Sequence, residues 1–456
     1  MSVSTVRARQ PQYGTQRLFA LCCCLAISGL TNASSTSALP ALNLSIVNVA
    51  TTDAPLTPLD IQPSADTAGR LMNRGTQAAV SRQTLTATFV NPGLRGERFW
   101  DMVTDTMQAA ALDLNITLEV VYAERNPYLL KKLAIQALES PASPDYLVLV
   151  NEEQAASELL TIADNHDTHV VMLLNGLTRE QALTHGSPGT IHPSWIGSVI
   201  PDNHTAGKRM ATQLIKVARE GSPTGQLHGL ALIGDTRTPA SIARNAGMVA
   251  GFAQDKAVQI DRILEARWNT RDAKRLTGQY LKWASRSSLG NDLVWAANDA
   301  MAEGAILALE SAGLTPGVDV LVAGLNWSPE GISMVSNRRM LLTDGGHFMA
   351  GAWAMVMARD HADIEEWAPR SVNFPMSAIT HDNVELYGPL LANPDWQTAD
   401  FAAFGLQDSR DVYVFDPITV LTQMITHQDQ ASRLSPHAPS ALKKIARSSE
   451  LMPPPQ

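Results

Sequence analysis

From Thr84 onward the sequence alternates short apolar, β-branched runs with amphipathic helical stretches, and this alternation restricts the possible folds more than any other feature. The first array starts with "TLTATFVN" and "RFWDMVTDTMQAAALDL" and ends with "HVVMLLN". Strands that are apolar throughout and separated by helices are typical of a parallel sheet covered on both faces. The pattern therefore predicts a doubly wound α/β domain.

The alternation resumes after an insertion rich in Gly and Pro at 176–194. The second array runs from "WIGSVIP" to "DVLVAGLN". Each array is close to the usual domain size of about 100 to 150 residues. We therefore expect two doubly wound parallel-sheet lobes, with a ligand site in the cleft between them.

Composition and charge exclude several classes of protein. The chain has 456 residues, of which 45% are hydrophobic and 17% charged, so it has enough apolar material for two or three cores. Its formal net charge is -9, which provides neither a basic surface for nucleic acid nor a polybasic membrane anchor.

The N-terminus has the pattern of an export signal. Arg7, Arg9 and Arg17 precede the apolar run "LFALCCCLAISGL", which is shorter than the about 20 residues that span a bilayer. We expect cleavage after Ala33. All three cysteines lie inside the apolar run, so the mature chain would have no disulfide and no Cys-ligated metal.

Polar and aromatic residues stand where the predicted strands end. In an open parallel sheet, ligands bind beyond the carboxyl ends of the strands. Amides, carboxylates and a guanidinium suit hydroxyl groups, and indole faces suit C–H patches. The alternative is that the polar residues are helix caps and the aromatic ones are core. The residues at or near these ends are Asn91, Asn151, Asn175, Asp202, Asn203, Asp235, Arg244, Trp268, Asn298, Asp299, Asn326 and Trp327.

Catalytic and cofactor motifs are absent from the sequence. It contains no G-x-S-x-G elbow, no phosphate-binding G-x-x-x-x-G-K-[ST] loop and no H-E-x-x-H motif. The stretch "HDTH" at 166–169 has a spacing that suits metal ligands, but we interpret it as a solvated turn. The sequence therefore predicts no catalytic residue, no metal and no cofactor.

Seven segments in order resemble the type 1 periplasmic binding protein superfamily, with its ribose-type and autoinducer-binding sugar-binding proteins of ABC transporters as the most similar pattern. They lie between about Thr84 and Thr426. The segments are "FVNPGLRGERFWDMV", "VIPDNHTAGKRMATQLI", "ARNAGMVAGF", "WNTRDAKRLTGQYL", "WAANDAMAEGAILALESAG", "VLVAGLNWSPEGI" and "LLTDGGHFMAGAWAM".

The resemblance implies a type 1 periplasmic binding fold, in which a hinge of three chain crossovers joins the lobes. The crossovers would fall near Pro201, near 343–346 and near Asn373. The implied divisions are a signal peptide at 1–33, an arm at 34–83, a first lobe at 84–200 plus 345–372, a second lobe at 201–344 plus 373–426, and a disordered tail at 427–456.

The resemblance also implies a set of ligand contacts. Asn175 and Asn326 stand where the family usually has carboxylates, so the ligand differs from a plain pentose or hexose. An anionic, borate-like or phosphorylated ligand fits this departure, although Asp299 and Asp344 argue against much negative charge. The implied contacts are Asn91, Phe99, Trp100, Asn175, Arg244, Trp268, Asn298 and Asn326, with Asp344 or His347 at the hinge.

The opening of the helix after 298 contains two candidate contacts, Asn298 and Asp299. The resemblance favours Asn298 as the ligand contact, with Asp299 as the helix cap or a second contact.

The resemblance implies a monomeric periplasmic protein that closes on a sugar-like small molecule and presents it to a membrane ABC permease. A ligand sensor that docks on a membrane receptor kinase or cyclase is the alternative. An exported enzyme, with an Asp or His of the cleft as its catalytic group, is a third possibility.

Overall fold

The computed structural model describes residues 83–406 and 412–434. The predicted signal peptide at 1–33 and all of the predicted arm except Gln83 lie outside the described residues. The last helix continues through Leu434, whereas we expected a disordered tail from 427. Its buried residues Val420, Leu421 and Met424 are spaced as one helical face, which extends the ordered chain.

Two six-stranded sheets form the centres of two lobes, which confirms the predicted α/β fold class. The strands are β1 (Leu85–Asn91), β2 (Ile116–Tyr122), β3 (Tyr146–Leu149), β4 (His169–Leu173), β5 (Trp195–Pro201), β6 (Leu227–Ile233), β7 (Val258–Glu265), β8 (Leu293–Ala296), β9 (Leu321–Leu325), β10 (Leu342–Gly345), β11 (Arg370–Phe374) and β12 (Ser377–Thr380).

The first sheet has the order β11-β5-β4-β3-β1-β2, and every neighbouring pair is parallel. The second has the order β12-β10-β9-β8-β6-β7, and only β12 runs antiparallel to its neighbour. The chain passes to the second sheet after β5, returns after β10 and passes again between β11 and β12. At the second crossing Gly346 has a φ of 90°, a conformation that favours glycine.

Helices cover the faces of both sheets. They are α1 (Arg98–Asp113), α2 (Pro127–Leu138), α3 (Ala156–Ala163), α4 (Arg179–His185), α5 (Asn203–Gly221), α6 (Pro239–Phe252), α7 (Thr270–Arg286), α8 (Asp299–Ser311), α9 (Pro329–Ser336), α10 (Ala350–Asp363), α11 (Val384–Ala392) and α12 (Pro417–Leu434). Within the described ranges, none of them has both the length and the apolar character that crossing a bilayer requires.

Residues 396–406 and 412–415 pack on the first lobe, although the expected division placed all of 373–426 in the second. The backbone N–H of Phe401 donates to Asp113 at the end of α1 (2.9 Å), and the ring of Phe415 stacks on Trp353 of α10 with centroids 4.9 Å apart. Trp353 also contacts Phe374 edge to face. Burying these aromatic rings together removes apolar surface from water, which favours this packing.

Trp327 belongs to the core of the second lobe. Its side chain is fully buried, and its Nε1–H donates to the carbonyl of Ser377 at 2.9 Å. Of the two interpretations of Trp327, ligand contact or core packing, the structure supports core packing.

Candidate ligand-binding site

A cavity with about 580 Å³ of empty space lies between the lobes, beyond the carboxyl ends of the strands. Its size is within the usual range of small-molecule sites, roughly 300 to 1,000 Å³. Eight of the ten residues expected as ligand contacts line it. They are Phe99, Trp100, Asn175, Arg244, Trp268, Asn298, Asn326 and His347.

The other two expected contacts, Asn91 and Asp344, do not line the cavity. The Asn91 amide is buried; it donates to Thr104 (3.1 Å) and accepts from the N–H of Gly93 (2.8 Å), so it holds the turn after β1. Both oxygens of the buried Asp344 carboxylate accept from Arg209, at 2.6 and 2.9 Å. The side chain of a strand-end residue can thus be fully hydrogen-bonded within its own turn or in an ion pair, which leaves it unavailable to a ligand.

Arg244, on the second turn of α6, is 3% exposed. Its Nε and Nη2 donate to Oδ1 of Asn203 (3.2 and 2.6 Å), and its Nη1 donates to the carbonyl of Ala297. Both acceptors are neutral. Burial lowers the pKa of the guanidinium to about 10, so it still carries its charge at neutral pH.

Trp268 provides an aromatic wall beside Arg244, whose guanidinium carbon lies 5.7 Å from the ring centroid. The indole Nε1–H donates to Asp235 at 2.8 Å. A Cβ at Gly234 would lie 2.0 Å from the indole ring, so only glycine at 234 allows the ring its present position. Asp235 also accepts from the N–H of Thr238 (2.7 Å) and is a turn former that does not line this cavity.

Asn298 caps α8, since its Oδ1 accepts from the N–H of Met301 at 2.8 Å. Its Nδ2 donates to the carbonyl of Trp268 at 3.1 Å, which holds the backbone beneath the indole. Asp299 is fully buried and accepts from Ser328 and Thr343. The expectation that Asp299 caps the helix or joins the site was therefore wrong, and Asn298 itself is the cap.

The two asparagines that replace carboxylates have different surroundings. Asn175 donates to Glu152 (3.2 Å) and accepts from the N–H of Ala240 (3.0 Å), which belongs to the other lobe. Asn326 is 8% exposed at the cavity wall, and its side chain makes no hydrogen bond to another described residue. Its amide is thus available to a ligand.

His347 and Phe99 form a stacked pair with centroids 4.6 Å apart and an interplanar angle of 22°. Burial, and then the charge of Arg244, hold the pKa of His347 well below its usual value. The imidazole is therefore neutral at physiological pH. Its Nδ1 has no hydrogen-bond partner among the described residues.

An acidic and basic cluster on the first lobe was missed from the sequence. Arg125 donates to Glu97 (Nε to Oε2, 2.9 Å) and lies 3.4 Å from Glu152. Burial raises the pKa of Glu152 to about 7, although Arg125 acts in the opposite direction. Glu152 directly follows Asn151, a strand-end residue of the sequence analysis. Extending the strand-end set by one position would therefore have included Glu152.

Three polar contacts join the lobes across the cleft. Besides Asn175 and Ala240, the pair Arg98–Glu330 lies at 3.2 Å and the pair Arg237–Glu153 at 3.3 Å. Both ion pairs are about half exposed or more, so each contributes only about 0 to 1 kcal/mol. The lobes are in contact around the cavity.

The described residues contain no group of three or more His, Cys, Asp or Glu side chains arranged to hold a metal ion. His169 of the "HDTH" stretch begins β4 and lies against His361 (centroids 4.4 Å apart), so it is not part of a solvated turn as expected. His166 does lie in the turn before the strand.

Comparison with known proteins identifies the family. A family model described as a periplasmic binding protein domain matches residues 87–366, and the chain belongs to this family. The ribose import binding protein RbsB of Escherichia coli is 26% identical over 247 residues, which cover 54% of this chain and 74% of that protein.

Solved structures agree with this assignment. A periplasmic sugar-binding protein from Pseudomonas fluorescens is 30% identical, with a TM-score of 0.65, over 74% of this chain and 99% of that chain. The Caulobacter myo-inositol binding protein, solved with myo-inositol, is 20% identical with a TM-score of 0.57, over 68% and 97% of the two chains. At that identity the second similarity concerns the fold alone.

Proposed function

We propose that the protein is an exported, monomeric solute-binding protein that closes on a sugar or sugar-like molecule and presents it to an ABC importer. The observation that carries this is the cavity between the lobes, whose wall combines Arg244 and Asn326 with the aromatic faces of Phe99 and Trp268. Similarity to a ribose import protein and to a periplasmic sugar-binding protein supports a sugar-like ligand.

The ligand contacts in this proposal are the eight cavity residues together with Glu152. Arg244 and Asn326 hydrogen-bond the ligand, and Trp268 and Phe99 cover its C–H faces. Asn91 and Asp344 support the site without contacting the ligand. No residue is assigned a catalytic role.

The lobes proposed to move are 84–200 with 345–372, and 201–344 with the chain from 373 to α11. Residues 396–406 and 412–415 move with the first lobe because their contacts are made there. Closure about the three crossings encloses the ligand and creates the surface that the membrane permease contacts. The segment at 1–33 acts as the cleaved signal for export to the periplasm.

Binding is tested by thermal unfolding and titration calorimetry of protein freed of co-purified ligand by unfolding and refolding. The panel contains neutral pentoses and hexoses, furanoses, inositols, sugar acids and sugar phosphates. A ligand at a hundred times its Kd adds about 2.7 kcal/mol of stability. Failure of every compound to bind would contradict the proposal.

A ligand sensor is the second candidate, favoured by the described segments 396–406 and 412–434, which lie beyond the family match. In a sensor, these segments would provide surface for docking on a membrane receptor kinase or cyclase. Ligand-dependent uptake by cells that carry the permease separates the two candidates, since deletion of a sensor's gene leaves the uptake rate of the ligand unchanged when the permease is expressed independently.

A further inference from the structure

Arg244 is a buried charge without a counter-ion in contact. Its three hydrogen bonds go to the Asn203 amide oxygen and the Ala297 carbonyl, and no carboxylate of the described residues forms an ion pair with it. A guanidinium has five N–H donors, so two remain for another acceptor. Buried charges are normally paired because removing them from water is costly.

The two carboxylates that act electrostatically on Arg244 are hydrogen-bonded to other residues. Asp344 accepts from Arg209 on both oxygens, and Asp299 accepts from Ser328 and Thr343. Both attract Arg244 through space without contacting it. Neither acid lines the cavity, so neither would contact an anionic ligand directly.

The opposite wall carries acids that are largely balanced. Arg125 pairs with Glu97 and lies within ion-pair distance of Glu152. These residues suit the hydroxyl groups of a ligand, since carboxylates accept from hydroxyls. The cavity therefore has one end that holds an uncompensated cation and another that accepts hydrogen bonds.

A second unmatched donor lies on the first-lobe side of the cavity. The indole Nε1–H of Trp100, which lines the cavity, is buried and has no acceptor among the described residues. Both Trp100 and Arg244 are donors only, so a ligand that satisfies them must supply acceptor oxygens.

We infer that the ligand is a small polyhydroxylated monocarboxylate, a sugar acid, whose carboxylate pairs with Arg244 and whose hydroxyl groups face the Glu152 side of the cavity. This inference rests on the proposed sugar-binding function and specifies its ligand class. A single charge is specified because the cavity offers one unpaired cation, and a dianionic phosphate would leave its second charge facing Glu97 and Glu152.

The test is calorimetric titration of the unliganded protein with matched compounds. D-glucuronate, D-galacturonate, D-gluconate and D-galactonate represent the acids, D-glucose and D-galactose the neutral sugars, and D-glucose 6-phosphate the dianion. We expect at least one acid to bind at least tenfold more tightly than its neutral counterpart and than the phosphate.

Each other outcome overturns the inference in a recognisable way. Tighter binding of a neutral sugar refutes the anionic ligand and leaves the proposed function standing. Tighter binding of the phosphate refutes the monocarboxylate. Binding of none of the compounds, with no hit from the wider panel, refutes the inference and the proposed function together.

Two variants of Arg244 test whether the carboxylate of the ligand pairs with this residue. In R244Q the preference for the acid over the neutral sugar should fall to about onefold, whereas R244K should keep part of it because the charge remains. K274Q, which changes an exposed cation on α7, is the matched control and should leave the preference unchanged. If R244Q does not fold, the wild-type selectivity still decides the matter. An unchanged preference in folded R244Q would refute the pairing.

Discussion

Oδ1 of Asn175 in the first lobe accepts a hydrogen bond of 3.0 Å from the backbone N–H of Ala240, at the start of α6 in the second lobe. The N-cap residue of that helix, Thr238, makes no side-chain cap hydrogen bond. The first turn of a helix leaves N–H groups unsatisfied. Asn175 therefore caps a helix of the opposite lobe, and it can do so only while the lobes are closed.

Asn175→Ala should weaken the closed state, because it removes this cap and leaves an N–H group unpaired. The loss of a cap costs about 1 kcal/mol, which corresponds to about a fivefold increase in Kd, expressed mainly in a faster ligand dissociation rate. Stopped-flow experiments with the ligand found by the screen measure this dissociation rate. Asn165→Ala, in an exposed turn of the same lobe, is the control. Equal dissociation rates in the two variants would contradict the cap.

Glu152 should make the protein less stable as the pH rises. Its pKa is about 7 in the folded protein and lies near 4.5 when the chain unfolds, so the folded state binds the extra proton between these values. The stabilisation is present below about pH 4.5 and is lost as the pH rises through about 7. The charged groups that act on this carboxyl are Arg125, Glu97, Glu153 and Asp235.

Thermal unfolding of wild type and E152Q between pH 5 and pH 8.5 measures this contribution. The midpoint of E152Q should fall less steeply with pH, so that the variant gains stability relative to wild type at high pH. E153Q, which changes the more exposed neighbouring carboxylate, should follow wild type. Parallel curves for wild type and E152Q would exclude the linkage.

Phe415→Ala should destabilise the first lobe. The ring of Phe415 is 2% exposed and stacks on Trp353, so its removal leaves a cavity and costs about 3 kcal/mol. Urea unfolding curves give the change in the free energy of unfolding. Val414→Ala is the control, since this side chain is 63% exposed, and it should change stability by less than about 0.5 kcal/mol.

Gly234→Ala should impair ligand binding through Trp268. The new Cβ would meet the indole ring at 2.0 Å, so the ring must move from the wall beside Arg244. We expect lower stability and at least tenfold weaker binding, measured by calorimetry. Gly278→Ala is the matched control, since a Cβ there meets no atom within 4 Å and lies in the interior of α7. It should stabilise the helix by up to about 1 kcal/mol.

Much of the fold was predictable because the apolar strands alternate with helices, and this pattern specifies a parallel sheet without knowledge of tertiary contacts. The strand-end argument placed six of its twelve residues at the cavity, since the carboxyl ends of parallel strands meet at one edge, and the family resemblance placed eight of its ten expected contacts there. It could not separate Asn298, which caps a helix at that edge, from Asn326, whose amide has no partner among the described residues. That difference depends on neighbours that only the folded chain provides.

Arg125, which sequence reasoning missed, is not one of the strand-end residues. Arg125 stands in a turn after β2 with a φ of 56°, and it reaches the cavity through its long side chain. The packing of residues 396–406 and 412–415 was also not predictable, because no local sequence pattern indicates which lobe a connecting segment will contact. The contacts of this segment with the buried face of α10 determine which lobe it packs against.

The aromatic partners of Trp353 have a consequence for the limits of the family domain. The similarity to the family model ends at residue 366, yet Phe374 and Phe415, which enclose this indole, both come later in the chain. Strand β11 of the first sheet lies beyond that limit too. The segment that matches the family model is therefore shorter than the segment that folds together. A fragment that ended at the family boundary would lack strand β11 of the first sheet and would expose the indole of Trp353.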